Sequence, residues 1–143
     1  MSNTSHSLKI LMNLTKAQSI VSRRFDALSM HGIGFTDFMI LYILMQAEGG
    51  GMRRIDLAEK IGLTASGVTR MLAPLEKTGL IKREYNARDA RISYVVLTET
   101  GRQLFENAKV TASNVAKGIV TIENIKSITA LSDLLAALGG NIK

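Results

Sequence analysis

The side chains with chemistry to offer are cations, hydroxyls and one carboxylate, spaced at intervals through the middle of the sequence. Over residues 64–77, Val68, Met71, Leu72 and Leu75 recur at i, i+3, i+4 and i+7, and Ser66, Gly67, Thr69, Arg70 and Lys77 fall on the opposite side. Small residues at the start of such a helix let its backbone approach a base edge, and Arg70 carries two parallel donors that match guanine O6 and N7. The free amides and positive dipole end at the helix start suit phosphate. Taken alone, the pattern fits a plain solvated helix face equally well. A second group follows closely: Arg88, Asp89 and Arg91 sit in a polar stretch, residues 86–91, between two apolar runs. Guanidinium groups there suit the negative potential of a narrow minor groove.

Other chemistries lack their residues. There is no Cys, which excludes disulfides, thiolate metal sites and cysteine-based oxidant sensing. His6, in a polar start expected to be mobile, and His31 are the only imidazoles, so a multi-His metal site within one chain is not expected. No phosphate-cradling Gly loop or carboxylate cluster is found, and no catalytic residue, metal or cofactor is assigned. The first residues lack the basic and apolar regions of a signal peptide, and the longest apolar run, residues 38–45, is too short to span a bilayer. The expectation is a soluble cytoplasmic protein with no membrane partner. Its net charge of +6 is concentrated: residues 53–91 hold nine basic and five acidic side chains, while the longer remainder contributes only +2. A polyanion-binding surface concentrates charge in this way.

These groups need elements to hold them. With 46% hydrophobic but only 5% aromatic residues, the core of this 143-residue chain is built from Leu, Ile, Val, Met and Ala, a mixture that favours helices. Ile10, Leu14, Ala17, Val21, Phe25 and Leu28 predict a long helix over 8–28, ended by the stretch 31–34. Thr36 and Asp37 mark the next start, the hydroxyl accepting an orphan amide and the carboxylate facing the dipole. The run 38–45 reads as helix or buried strand; its Met and Leu content and its extension to Glu48 favour helix, broken by Gly49, Gly50 and Gly51. A short helix over 55–61 buries Leu57, Ala58 and Ile61 and stops at Gly62. Thr64 caps the next, and Gly79 closes it. From Leu80 the period becomes two, predicting strands at 80–85 and 92–97. Thr98 caps a helix reaching about Lys117, and a last helix runs from Ile122 to about Leu138.

Short helix, Gly-containing turn, second helix and hairpin are the order of a helix-turn-helix with a wing. Residues 57–101 resemble the MarR family of winged-helix regulators, in the wing pattern Asp89-x-Arg91 followed by Leu97-Thr98 and Gly101. Leu57-Ala58-Glu59, Gly62-Leu63-Thr64 and Leu75-Glu76-x-x-Gly79-Leu80-Ile81 match as well. Each motif alone is weak; their ordered spacing is specific. The resemblance implies a mainly α fold with a small β-hairpin wing, as one domain over residues 1–143. Within it, a winged helix-turn-helix over about 35–101 is flanked by dimerisation helices over about 8–31 and 102–139.

The resemblance implies that Ser66, Gly67, Thr69 and Arg70 face the major groove. It places Arg91 in the minor groove, oriented by a salt bridge from Asp89; a purely structural wing brace is the alternative, compatible with the first. Arg88, Lys82 and Arg83 read as phosphate contacts, together with Arg53, Arg54, Thr64 and Lys77. Two features depart from the family. Arg53 and Arg54 stand where many members have a Thr or Ser cap. Pro74 lies inside the recognition helix, where it removes one amide donor at ~3 kcal/mol in an unadapted helix and predicts a local bend. The family also implies a homodimer on double-stranded DNA, with a pseudo-palindromic operator of half-sites about one turn apart. Such a dimer is usually a repressor released by a small-molecule effector. The effector crevice would lie near Arg24, Phe25, Phe38 and Tyr42, although such an apolar cluster is more often core than pocket. Two rival readings stand beside this one: end helices that pack on their own subunit, and a winged-helix protein-interaction module without specific DNA binding. Arg70, Arg88, Arg91 and the central charge argue against the second.

Overall fold

A sequence rich in Leu, Ile and Met but poor in aromatics buries its apolar surface by laying helices against one another. The computed structural model describes residues 3–121 and 123–143. Its elements are α1 (Asn3–Arg24), a 3-10 helix (Phe25–His31), α2 (Phe35–Gln46), a 3-10 turn (Glu48–Gly50), β1 (Gly51–Met52), α3 (Arg54–Ile61), α4 (Ala65–Lys77), β2 (Ile81–Tyr85), β3 (Ser93–Leu97), α5 (Glu99–Ile119) and α6 (Ile125–Ala137).

Helix α2 is the centre of the core. Phe38, Ile40, Leu41, Ile43 and Leu44 are all buried, which leaves it without a polar side, as a helix enclosed on several faces requires. The run that sequence left between helix and strand is therefore helix. Its start differs from expectation: Gly34 is the cap residue, and its N–H donates to the Asp37 carboxylate at 2.9 Å, so Thr36 lies inside the first turn and does not cap. Helix α1 begins at Asn3, which places His6 in a helix and not in a mobile start. It also ends earlier than the apolar period suggested. The chain tightens into the 3-10 helix after Arg24, burying Phe25 and Leu28, and Gly32 closes that segment at φ +77°.

The hairpin pairs Ile81 with Leu97 through Tyr85 with Ser93, in antiparallel register. A third strand was not foreseen. Gly51 and Met52 pair with Val96 and Val95, giving the order β1-β3-β2. Gly51 is required there because a Cβ would stand 2.8 Å from Val96 Cγ2 and 3.0 Å from the Val95 carbonyl.

Helix α5 is joined to the hairpin at its first turn. Thr98 Oγ1 accepts from the Gly101 N–H at 3.0 Å and shares its one proton between the carbonyls of Gly79 (2.6 Å) and Leu80 (3.0 Å). Farther along, Phe105 packs on Phe38 at 5.2 Å between ring centroids, and His31 Nε2 meets Thr111 Oγ1 at 2.8 Å. Helix α6 starts at Ile125, where the Asn124 side chain accepts from Lys126 and Ser127; the predicted start at Ile122 lies outside the described residues. None of the α6 residues is buried. Among the described residues no single helix is long and apolar enough to cross a membrane.

Gly101 is where α5 crosses the hairpin most closely: it is buried, and a Cβ there would collide with the Leu80 carbonyl. Gly101→Ala is expected to destabilise the fold by about 1–3 kcal/mol through overpacking. Gly118→Ala, in the same helix but with only an Arg24 nitrogen 3.9 Å away, is expected to stabilise it by roughly 0.5–1 kcal/mol. Urea unfolding of the two variants checks the pair; equal effects would mean that the crossing is not close.

Candidate nucleic-acid interface

Two tight glycine and threonine devices fix the angle between α3 and α4. Gly62 adopts φ +78°, and the Ala58 carbonyl accepts from the N–H groups of both Gly62 (3.0 Å) and Leu63 (3.1 Å), ending α3. Thr64 Oγ1 then accepts from the Gly67 N–H at 3.0 Å and starts α4. A Cβ at Gly67 would lie 3.0 Å from that oxygen, so Gly67 serves the cap as well as leaving the helix start open. Val68, Leu72 and Leu75 of α4 are buried and Met71 half-buried, which turns Ser66, Thr69, Arg70 and Lys77 outward, all of them exposed.

The outer face is shallow and largely open. An open depression of about 620 Å³ is bounded by Arg54, Ala65, Ser66, Thr69 and Arg70, with no acidic residue in its lining. Arg54 enters it from the first turn of α3, its Nη1 donating to Thr69 Oγ1 at 2.6 Å. Thr69 in turn donates to the Ala65 carbonyl at 3.0 Å. The side chains of Arg53, Arg70, Lys77 and Arg88 have no ion-pair or hydrogen-bond partner among the described residues. Arg53 holds the cap position of α3 without a side-chain cap bond, so that cap is absent. Pro74 sits three residues from the end of the element, and α4 continues through it to Lys77. The carbonyl of Pro74 still accepts from the Thr78 N–H at 3.0 Å, so the helix lacks only the donor to Arg70.

The hairpin tip is organised by Asn86, which sequence reasoning passed over. Its Oδ1 accepts from the N–H groups of Arg88 (2.8 Å) and Asp89 (3.1 Å), a local turn of the kind Asn favours. Asp89 then takes a two-pronged bond from Arg91: Nε to Oδ1 and Nη2 to Oδ2, both at 3.0 Å, with the Arg91 N–H also on Oδ1 at 3.0 Å. Arg91 keeps 91% of its side chain exposed although its guanidinium is held by Asp89. Of the expected phosphate contacts on β2, Lys82 pairs with Glu84 at 3.1 Å and Arg83 with Glu76 at 3.9 Å. Those two acids had not been assigned a role. Exposed pairs of this kind contribute ~0–1 kcal/mol, so exchanging either acid for a phosphate costs little.

Residues 35–93, covering these helices and most of the hairpin, match the sequence profile of the MarR family. That match makes this stretch a MarR family domain. Along nearly its whole length the chain is also similar to YdgJ, an uncharacterized HTH-type transcriptional regulator of Bacillus subtilis (strain 168), with 28% identity over 138 residues, 96% of this chain and 82% of that one. Its fold is that of Sco3205, a MarR family transcriptional regulator from Streptomyces coelicolor solved in complex with DNA: TM-score 0.84, 18% identity, 96% of this chain and 88% of the other. CouR from Rhodococcus jostii RHA1, solved with p-coumaroyl-CoA, gives a TM-score of 0.79 at 23% identity, with 91% of each chain covered.

Within this MarR fold the aromatic cluster is core. Phe25 and Phe38 are buried, Phe25 stacks on Phe35 at 3.8 Å between centroids, and the Tyr42 hydroxyl donates to the Lys143 carbonyl at 3.0 Å. The wing is the more testable part. Hydrogen bonds from the Arg91 side chain and then from its backbone hold the Asp89 carboxyl below the usual aspartate range, and Asp89 raises Arg91 in return. For a depressed carboxylate the brace is fully present above the ordinary aspartate range and is lost as pH falls through the lowered value. Carboxyl NMR titration is expected to give Asp89 a midpoint below that of free aspartate, moving upward in Arg91→Gln; an unmoved midpoint would mean that the two side chains are not paired.

Proposed function

We propose that this protein is a homodimeric, sequence-specific regulator of transcription that binds double-stranded DNA, and that it is not an enzyme. The observation that carries the reading is the acid-free depression on α4, whose rim holds Arg54 and an unpaired Arg70. Such a surface attracts a polyanion, and its hydroxyls and guanidinium groups have the geometry for base edges. In this reading Ser66, Gly67, Thr69 and Arg70 approach the major groove. The braced Arg91, with Arg88 beside it, enters the adjacent minor groove, where narrow AT-rich sequence favours guanidinium. Arg53, Thr64, Lys77, Lys82 and Arg83 take phosphates and set the register without reading sequence.

The dimer follows from surface left over by the fold. Helix α1 exposes about half of Leu8 (55%), Ile10 (51%) and Leu11 (47%), and α6 does the same with Leu131 (50%) and Leu134 (47%). Two helices with such faces are stable only when covered. A two-fold partner covers both and presents two reading heads to half-sites about one helical turn apart. Repression by occupying a promoter, and release when a small molecule favours a dimer whose heads no longer match successive major grooves, complete the reading. A related fold solved with p-coumaroyl-CoA supports a small-molecule partner. Acting on DNA, the protein works in the cytoplasm.

Selection of bound duplexes from a random pool, at near-physiological salt with competitor DNA, tests this directly. An inverted repeat is expected; no enrichment would overturn it. On the selected duplex, Arg70→Ala is expected to weaken binding by ~1–3 kcal/mol and to relax one base position, whereas Lys82→Ala weakens specific and random duplexes alike. Leu131→Glu is expected to convert the dimer to monomer by light scattering; an unchanged mass would place the interface elsewhere.

A further inference from the structure

Sequence grouped Arg54 with Arg53 as a phosphate contact, but the structure separates the two. The Arg53 side chain has no partner among the described residues, whereas Arg54 reaches across to the middle of the outward face of α4 and donates from Nη1 to Thr69 Oγ1 at 2.6 Å. Thr69 gives its single hydroxyl proton to the Ala65 carbonyl at 3.0 Å. A hydroxyl has one proton and two lone pairs, so Thr69 keeps one lone pair and no proton to offer a base. Thr69, placed by sequence as a direct reader, is already engaged by the protein. The guanidinium that engages it is not exhausted: of its five donors one is used, and the Nη2–Nε edge still presents two in parallel.

We infer that Arg54 is a base-reading residue, held in place by Thr69, which selects guanine through O6 and N7 at one position of each half-site. The inference rests on the proposed DNA-binding function and says which side chains supply its specificity. Two observations carry it. Arg54 lines the same acid-free depression as Ser66 and Arg70, so the two guanidinium groups, one from α3 and one from α4, border one open surface. Its bond to Thr69 restricts a long side chain before DNA arrives, which lowers the ordering cost of a contact that depends on direction. A phosphate contact depends on charge and gains little from such restriction. Thr69 is accordingly a positioning residue: its hydroxyl, fixed by Ala65, sets where the guanidinium plane lies.

The test is selection from a random duplex pool by the full chain and by Arg54→Lys, Thr69→Val, Thr69→Ser and the double variant Arg54→Lys/Thr69→Val, each checked for native helicity. Lys keeps the charge and removes the fork; Val keeps the shape of Thr69 and removes the acceptor. Arg54→Lys is expected to lose about tenfold of the guanine preference at one position per half-site. Thr69→Val is expected to lose it at that same position, Thr69→Ser to keep it, and the double variant to lose no more than either single one. Retention of every position in Arg54→Lys would return Arg54 to the phosphate contacts and overturn the inference alone. Loss at two different positions in Arg54→Lys and Thr69→Val would overturn it as well, by making Thr69 a reader in its own right. A wild-type protein that enriches no sequence would overturn the proposed function, and this inference with it.

Discussion

The outward face of α4 is set by the closing of its other face into the core. Val68 and Leu57 are fully shielded from solvent, Leu72 and Leu75 nearly so, and they join Ile40, Leu41 and Leu44 of α2 in one cluster. Burying a side chain of this size is worth about 1.5–3 kcal/mol. Turning α4 by a single residue would expose several of them at once, against surface hydrogen bonds worth about 1 kcal/mol each. The direction in which Ser66, Thr69 and Arg70 point is therefore decided inside the protein. The αL turn at Gly62 and the Thr64 cap then fix where along its axis the helix begins.

Surface charge is deployed at two levels of constraint. Lys82 with Glu84 and Arg83 with Glu76 are single, half-exposed contacts that water or phosphate can replace. Asp89 and Arg91 are different, since two parallel N–H to O bonds and a backbone N–H on the same carboxylate define a plane as well as a distance. Asn86 holds the tip from the other side through the amides of Arg88 and Asp89. The brace takes the Nε–Nη2 edge of the Arg91 guanidinium and leaves Nη1 free in a side chain that is 91% exposed.

Much of this was legible in residue spacing. The α4 stripe, the glycines at 62 and 79, the caps at Thr64 and Thr98, and both long strands follow from periods of 3.6 and 2 with local capping chemistry. What was not legible depends on contacts between distant residues. Strand β1 is two residues long, too short to show a period, and exists only because β3 offers an edge to it. The Arg54–Thr69 bond joins residues fifteen apart on two helices, and nothing in either local pattern announces it. The start of α2 was misplaced by two residues because Thr36 and Asp37 are both competent caps; the extended backbone at Gly34 decides between them. The premature end of α1 has the same character, since the 3-10 helix keeps Phe25 and Leu28 on the buried side and so preserves the apolar spacing that suggested an unbroken helix.

Helix α5 determines what a signal can do to this molecule. At its first turn Thr98 and Gly101 lock it to the hairpin, one turn on the Arg102 guanidinium lies against Met45 and under Gly50, and Phe105, Ala108 and Ala112 are buried in the core. Thr111 ties it to the 3-10 helix that follows α1. These contacts run along most of its 21 residues, so the helix and the reading head form one packed body. Close-packed interiors shift between discrete arrangements and do not bend smoothly. The contacts thin only toward the end, where Gly118 has little beside it but an Arg24 nitrogen and Val120 is exposed, before the unburied α6. In the proposed dimer, a ligand that changes the spacing of the two α4 faces therefore acts with least resistance at the junction of α5 with α6. On that proposal the packed body from α2 through most of α5 keeps the α4 face and the Asp89–Arg91 brace intact while the separation from the second copy changes.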